Sequence, residues 1–242
     1  MSFASVSFLL FFLVVLLLLL LVQRVLPFAE IKRRIICQGI LLIASYVFYG
    51  WGNMRLCLLL MGITWISFFT AVKKDEKHLR QSRISLLIGV GTPLAVLGIF
   101  KYYDFFVTSF CEVFHLTPGV LNLILPVGIS FYTFQALSYT IDVYTGKIEK
   151  EKSFLQFALY LSFFPQLVAG PIVKASEFLP QLKENRKVTL SGLESGIQIF
   201  VFGMFKKVVL ADNISVFVDE VYRSPQIFGS GTVALAVAAY AI

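Results

Sequence analysis

The residues best suited to chemistry sit where a membrane segment would ordinarily hold none. Between Val120 and Tyr144, VLNLILPVGISFYTFQALSYTIDVY, an apolar run carries Pro126 and Gly128 in its first half and Gln135, Ser138, Tyr139, Thr140 and Asp142 in its second. Amide, hydroxyl and carboxyl side chains at membrane depth face a bundle interior or an aqueous cavity. Backbone freed by a proline is tolerated there only where protein or water re-satisfies it. The stretch therefore reads as the wall of an internal site. Gln166 is a further candidate, beside the Pro165 break in SFLQFALYLSFFPQLVAGPIV, residues Ser153 to Val173. Lys206 and Lys207 interrupt SGIQIFVFGMFKKVVLADNISVFV and offer a positive lining for an anionic donor or its phosphates. The plainer alternative is snorkelling at a helix end. Lys207 and Asp212 are five apart, off the three-to-four spacing that places two side chains on one α-helical face. A polar network that merely holds helices together, at about 1 kcal/mol or less per contact, fits the same residues.

Other reactive side chains are sparse. Cys37, Cys57 and Cys111 lack metal-ligand spacing and sit in or beside apolar runs, so they read as small core hydrophobes. His78 lies among charges and reads as solvated. His115 is either a proton-transfer residue or a surface histidine ahead of the turn Thr117-Pro118-Gly119.

Composition sets the elements that must position these groups. Hydrophobic residues make up 58% of the chain and charged ones 14%, outside the range of soluble domains. The expected class is an all-α, polytopic helical membrane protein with broken and re-entrant helices. The net charge of +7 would suggest nucleic acid in a soluble chain, but here the basic residues cluster in short loops and set topology instead. Phe3 to Val22 is a first span without the flanks of a cleaved signal peptide. Arg24, Lys32, Arg33 and Arg34 follow it, which predicts the N-terminus outside and the loop Gln23 to Arg34 in the cytoplasm. A second span, Ile35 to Tyr49, ends in FYGWGN, and a third, Leu56 to Val72, leads to the basic loop Lys73 to Arg83, again cytoplasmic. The fourth, Ile84 to Phe100, holds Gly89, Gly91, Pro93 and Gly98 and runs into FKYYDFF, read as an interfacial belt before a surface helix at Phe105 to Leu116. Ser153 to Val173 is expected to be re-entrant from the cytoplasmic side, between the charged stretches Thr145 to Lys152 and Lys174 to Lys187. The last span, Thr232 to Ile242, is incomplete, which predicts one truncated domain over residues 1–242.

FYGWGN from Phe48, FKYYDFF from Phe100, LPVGISFYTFQALSYTIDVYTG from Leu125, FFPQLVAGPI from Phe163 and FKKVVLADN from Phe205 occur in an order that resembles membrane-bound O-acyltransferases. The resemblance covers essentially the whole chain and is strongest to the bacterial branch that O-acetylates exported polysaccharides such as alginate. It implies a helical bundle around a tunnel through a thinned cell membrane. An acyl group from acetyl-CoA or another cytoplasmic thioester would pass through it towards an extracytoplasmic polysaccharide, often by way of a separate esterase-like transferase. No bound cofactor is implied. The family's catalytic histidine lies beyond the region corresponding to Ile242, and neither His78 nor His115 matches its motif. The resemblance thus implies an N-terminal half that is inactive alone, with Gln135, Tyr139, Asp142 and Gln166 as lining and Lys206 and Lys207 for donor phosphates. A transporter or channel with discontinuous helices, and an inactive remnant, are the competing readings.

Overall fold

The computed structural model describes residues 5–24, 29–75, 77–117, 119–168, 170–184 and 189–241. Expectations resting on residues 1–4, 25–28, Glu76, Pro118, Ala169, 185–188 and Ile242 lie outside the described residues. Every regular element described is helical: α1 (Val6–Arg24), α2 (Glu30–Gly50), α3 (Arg55–Thr70), α4 (Leu79–Leu97), α5 (Tyr103–Val113), α6 (Ile129–Tyr144), α7 (Phe154–Ser162), α8 (Phe164–Leu167), α9 (Ala175–Lys183), α10 (Leu190–Phe205), α11 (Asp212–Arg223) and α12 (Ser230–Tyr240). π-helical turns at Gly98–Tyr102 and Lys206–Ala211 carry α4 into α5 and α10 into α11. Two helices are long and apolar enough to cross a membrane, Val6–Arg24 and the continuous 35-residue run Leu79–Val113.

The chain divides into two compact units, one of Phe12–Asn185 and the other of Arg186–Ile242 with Ser2–Phe11. Within the first, α3 shows how its helices are built. Cys57, Leu60, Ile63, Thr64, Ser67 and Phe68 recur every three to four residues and form the buried stripe. Leu58, Met61, Trp65 and Phe69 stand on the opposite side, 51–70% exposed and just as apolar. A helix apolar on both faces suits an environment with no polar side.

At the centre of this unit is α6, with nine of its 16 residues buried against α3, α4, α7 and α9. Gly89 lets α4 approach, because a Cβ there would lie 2.9 Å from Thr140 Cγ2. Seven of the nine residues of α7 are buried too, and the Ser153 hydroxyl accepts the Gln156 N–H at its start. Nine residues rise only about 13 Å. Ser153 to Val173 therefore forms no single crossing helix: it breaks at Phe163, and α8 follows with Pro165 in its first turn.

Two sequence expectations need correction. The run Val120 to Tyr144 is helical only from Ile129, and residues 120–126 are irregular. Pro126 lacks a donor and Gly128 adopts φ +76, so the helix cannot begin earlier. The surface helix expected at Phe105 to Leu116 is not separate. It is the continuation α5, because the π turn Gly98–Tyr102 absorbs an extra residue and carries the helix on.

In the second unit α10 has no buried residue, and α11 packs on α12 with Val218, Val221 and Ala236 buried. A shallow groove of about 400 Å³ there is lined mainly by Val209, Leu210, Ile214, Phe217 and Leu235.

Candidate functional site

Gln135, Tyr139 and Asp142 fall at i, i+4 and i+7, on one face of α6. Gln135 is 4% exposed and Tyr139 fully buried. The Tyr139 hydroxyl accepts the backbone N–H of Glu151 at 2.9 Å, and its ring lies 4.5 Å from that of Phe157. Glu151, in the loop between α6 and α7, is buried and ion-paired, its Oε2 2.8 Å from Lys183 Nζ. Its Oε1 accepts the N–H groups of Lys152 and Ser153 at 2.9 and 3.0 Å. Burial pushes this carboxyl up, but the Lys183 ammonium and the two amides outweigh it and hold the group below its ordinary value.

Lys183 closes α9, and the same helix end is held from α2. Arg34 Nη1 donates to the Lys183 carbonyl at 2.5 Å and Gln38 Nε2 to the Leu182 carbonyl at 2.7 Å. These bonds fill acceptors that a helix C-terminus leaves open. Asp142 is half-buried: its Oδ2 accepts from Ser138 at 3.4 Å and its Oδ1 lies 3.5 Å from Lys147 Nζ. The Tyr160 hydroxyl lies 3.1 Å from the Val173 carbonyl and 3.5 Å from that of Gln135. Around Tyr139 and Asp142, then, the polar contacts are already made. This face holds helices in place.

A second constellation lies at the start of α6. Gly128 is left-handed, and a Cβ there would collide with the Leu167 carbonyl, so glycine is what admits α8 against this helix start. From its other side α8 meets α2: the Phe164 N–H donates to Ser45 Oγ at 3.2 Å, and the Phe164 ring lies 5.7 Å from that of Phe48. Beside Phe48, Tyr49 sits edge-to-face on Tyr132, centroids 6.4 Å apart. Tyr49 is 8% exposed and Tyr132 fully buried. The two hydroxyls interact with each other, while Gln166 Oε1 has no hydrogen-bond partner among the described residues. At the same helix start Lys101 Nζ lies 3.4 Å from Ser130 Oγ. Asp104 accepts the N–H groups of Leu121 and Asn122 at 2.7 and 3.0 Å. FKYYDFF, expected to be an interfacial belt, thus also pins the irregular stretch that leads into α6.

The lysine pair belongs to the second unit. Lys207 Nζ lies 2.6 Å from both carboxylate oxygens of Asp212. Five residues is the wrong spacing for an α-helix, but the π turn Lys206–Ala211 pairs i with i+5 and brings the two together. Lys206 Nζ sits 4.6 Å over the Phe202 ring. Both ammonium groups have local partners, so an incoming phosphate would compete with Asp212.

Neither histidine lies in a buried site. His78 Nδ1 is 3.0 Å from Asp75 Oδ2, with both side chains more than half exposed. His115 is exposed in the turn after α5, at φ +54. The cysteines are free thiols, and no cluster of His, Cys, Asp and Glu among the described residues suits a metal ion.

Sequence reasoning picked out Gln135, Tyr139, Asp142 and Gln166 but passed over Glu151, Lys183, Tyr160, Tyr49 and Tyr132. Glu151 stands in KIEKEKS, where alternating charge resembles a solvated loop. Tyr49 ends a span, where tyrosine reads as an interface anchor. A tyrosine inside an otherwise apolar run was the available signal for Tyr160, and the FYTF run for Tyr132.

Comparison with known proteins follows the same residues. Residues 41–233 match the membrane-bound O-acyltransferase family. The chain is 37% identical over 189 residues to a probable alginate O-acetylase of Pseudomonas putida, a match covering 76% of this chain and 39% of that protein. It is 36% identical over 206 residues to a peptidoglycan O-acetyltransferase of Helicobacter pylori, covering 74% of this chain and 39% of that protein. A teichoic acid D-alanyltransferase of Streptococcus thermophilus is 31% identical over 97 residues, 39% of this chain and 22% of that protein. The chain thus spans about two fifths of the length of the curated relatives it matches most fully. No solved structure matches.

Proposed function

The chain belongs to the membrane-bound O-acyltransferase family, and on that premise we propose that it forms part of a membrane enzyme moving an acyl group, acetyl, from a cytoplasmic thioester such as acetyl-CoA to hydroxyls of an extracytoplasmic polysaccharide. The observation that carries the reading is the match over residues 41–233 together with relatives named as O-acetyltransferases. In the reaction the thioester C–S bond breaks, a C–O bond forms to the hydroxyl, and the hydroxyl proton passes through a general base to the leaving thiolate. A neutral histidine suits that base, and hydrogen-bond donors must hold the tetrahedral oxyanion. His78 and His115 are exposed and unsuited, so the base comes from outside these residues. Gln135, Tyr139 and Asp142 then keep the wall of the site in shape, Gln166 faces the reacting end, and Lys206 and Lys207 receive donor phosphates once Asp212 yields. A separate extracytoplasmic esterase-like transferase takes part in passing the acyl group onward.

The arrangement we propose is multi-pass. α1, α2, α3 and the α4–α5 run cross the cell membrane, α7 and α8 form the re-entrant element, and the N-terminus lies outside. The apolar outward face of α3 supports this, as do the basic loops at alternate helix ends.

Cells carrying the intact gene should place labelled acetyl on an extracytoplasmic polysaccharide, and deletion should abolish it. Unchanged acetylation after deletion would defeat the reading. For topology, a cysteine-free background carrying Lys77→Cys should resist an impermeant thiol reagent in intact cells, and Met54→Cys should react. Both positions are exposed, whereas Ser82 in the first turn of α4 is buried and its hydroxyl accepts the Asp75 N–H, which makes it a poor probe.

A further inference from the structure

Two loops that are far apart in sequence are joined where α3 and α6 end. The Lys74 N–H donates to the Tyr144 carbonyl at 3.1 Å, and the Lys73 side chain lies over Gly146, where an added Cβ would be 3.3 Å from its Cε and 3.8 Å from its Nζ. From the same turn Lys150 reaches back to α3, its Nζ 5.4 Å from the centre of the Phe68 ring. Three ammonium groups are thus held on one end of the first unit, and all three side chains are exposed. The acids nearby do not neutralise them. Asp142 pairs with Lys147 and Glu151 with Lys183, while Glu149 is exposed and forms no ion pair among the described residues. Lys73, Lys74 and Lys150 have no carboxylate partner among those residues either.

Beside this positive cluster the surface turns apolar without a break. The Phe68 ring beneath Lys150 meets the rings of Phe69 and Phe154, each with centroids 5.3 Å away. Phe69 is 54% exposed and Phe154 41%. One turn back along α3, Trp65 lies 4.8 Å from Phe69 and is 59% exposed. A partner that satisfies both parts is anionic at one end and apolar along the rest. Free phosphate offers the first property and not the second. A phospholipid offers both, its phosphodiester at the lysines and its acyl chains along Phe69 and Trp65.

We propose that Lys73, Lys74 and Lys150, with Phe69 and Phe154, form a docking surface for an anionic phospholipid. The membrane setting and the cytoplasmic leaflet rest on the acyltransferase reading, while the pairing of charge with apolar surface does not.

The 242-residue chain in a neutral detergent is titrated with phosphatidylglycerol or phosphatidylcholine, and bound lipid is counted by native mass spectrometry. The first phosphatidylglycerol should bind more tightly than the first phosphatidylcholine. Lys73→Gln and Lys150→Gln should each weaken phosphatidylglycerol about fivefold and leave phosphatidylcholine unchanged, and Lys74→Gln carries the same test if either does not fold. Arg223→Gln, in the second unit, should change neither lipid. Equal binding of the two lipids would overturn the surface. So would a loss in Arg223→Gln as large as in the lysine variants, which would reduce the preference to net charge. Displacement of phosphatidylglycerol by an equal concentration of inorganic phosphate would leave an anion site without a lipid and overturn it too. Acetyl transfer in cells without a lipid preference defeats the surface alone. A preference that the lysine variants lose, with acetylation unchanged after gene deletion, supports the surface and defeats the acyl-transfer reading.

Discussion

Helices α6 and α10 are each 16 residues long and mostly apolar, yet nine residues of α6 are buried and none of α10. The residues that differ most are polar. α6 buries Thr133, Gln135, Tyr139 and Thr140, whereas α10 exposes Ile197, Ile199, Phe200, Val201 and Phe202 by 41–73%. In a water-soluble protein the assignment would be reversed, because contiguous apolar surface of that kind is rarely left to water. Where the surroundings are hydrocarbon, apolar side chains gain little from moving inward, and polar ones gain hydrogen bonds by doing so. The contrast therefore locates interior and surroundings by polarity, and it supports the membrane setting proposed above.

The sharpest way to break that contrast is to disturb the α6 start. Gly128→Ala forces a side chain into the left-handed region and into the Leu167 carbonyl, and should cost about 3 kcal/mol or more in a denaturation series in nanodiscs. The next largest effect compares the two regions directly. Leu159→Ala in buried α7 should cost about 3 kcal/mol through the cavity it leaves. Phe202→Ala in α10 should change stability by less than about 0.5 kcal/mol. Equal costs would mean that α10 is covered by protein after all.

Smaller and pH-dependent is the contribution of Glu151. Replacing it with Gln removes the partner of Lys183 and weakens the acceptor of two amides, at about 2 kcal/mol near neutral pH. Its carboxyl is held below the ordinary value when folded. Its stabilisation is therefore present above the unfolded carboxyl's titration and is lost as pH falls through the folded one. An acid titration should show the wild-type chain losing this part of its stability below about pH 4.5, while Glu151→Gln loses none of it. Parallel acid curves would assign the ion pair no role in holding α9.

How much of this was legible depends on distance along the chain. The helical class followed from composition, and α2 and α3 follow from apolar runs closed by Gly50 and by the basic loop, whereas the start of α6 at Ile129 was fixed by Pro126 and the left-handed Gly128. Gln135 and Tyr139 were found because amide and phenol groups stand out in apolar sequence. Glu151 was not, because its meaning depends on Lys183, 32 positions away by number and contributed by another helix. Tyr49 and Tyr132 were hidden for the same reason: each is an ordinary interfacial or core tyrosine until α2 and α6 bring their rings edge-to-face. The π turns escaped because helix periodicity assumes 3.6 residues per turn throughout, and local strain in hydrogen-bond register leaves no mark on composition.

The smallest expected effect tests that last point. Lys207 and Asp212 are joined at 2.6 Å, yet their side chains remain 55% and 49% exposed. Solvent screens such a pair, so Lys207→Ala should cost about 0.5 kcal/mol or less, far below Glu151→Gln despite the shorter contact. Geometry alone would rank the two pairs the other way; burial decides. Moving the lysine to α-helical spacing, with Lys207→Val and Val208→Lys, places it four residues from Asp212 and should restore the pair only if the turn reverts from π to α. A stability equal to that of Lys207→Ala would show that the π register is set by the neighbouring apolar packing of Val209 and Leu210, and that the ion pair merely follows it.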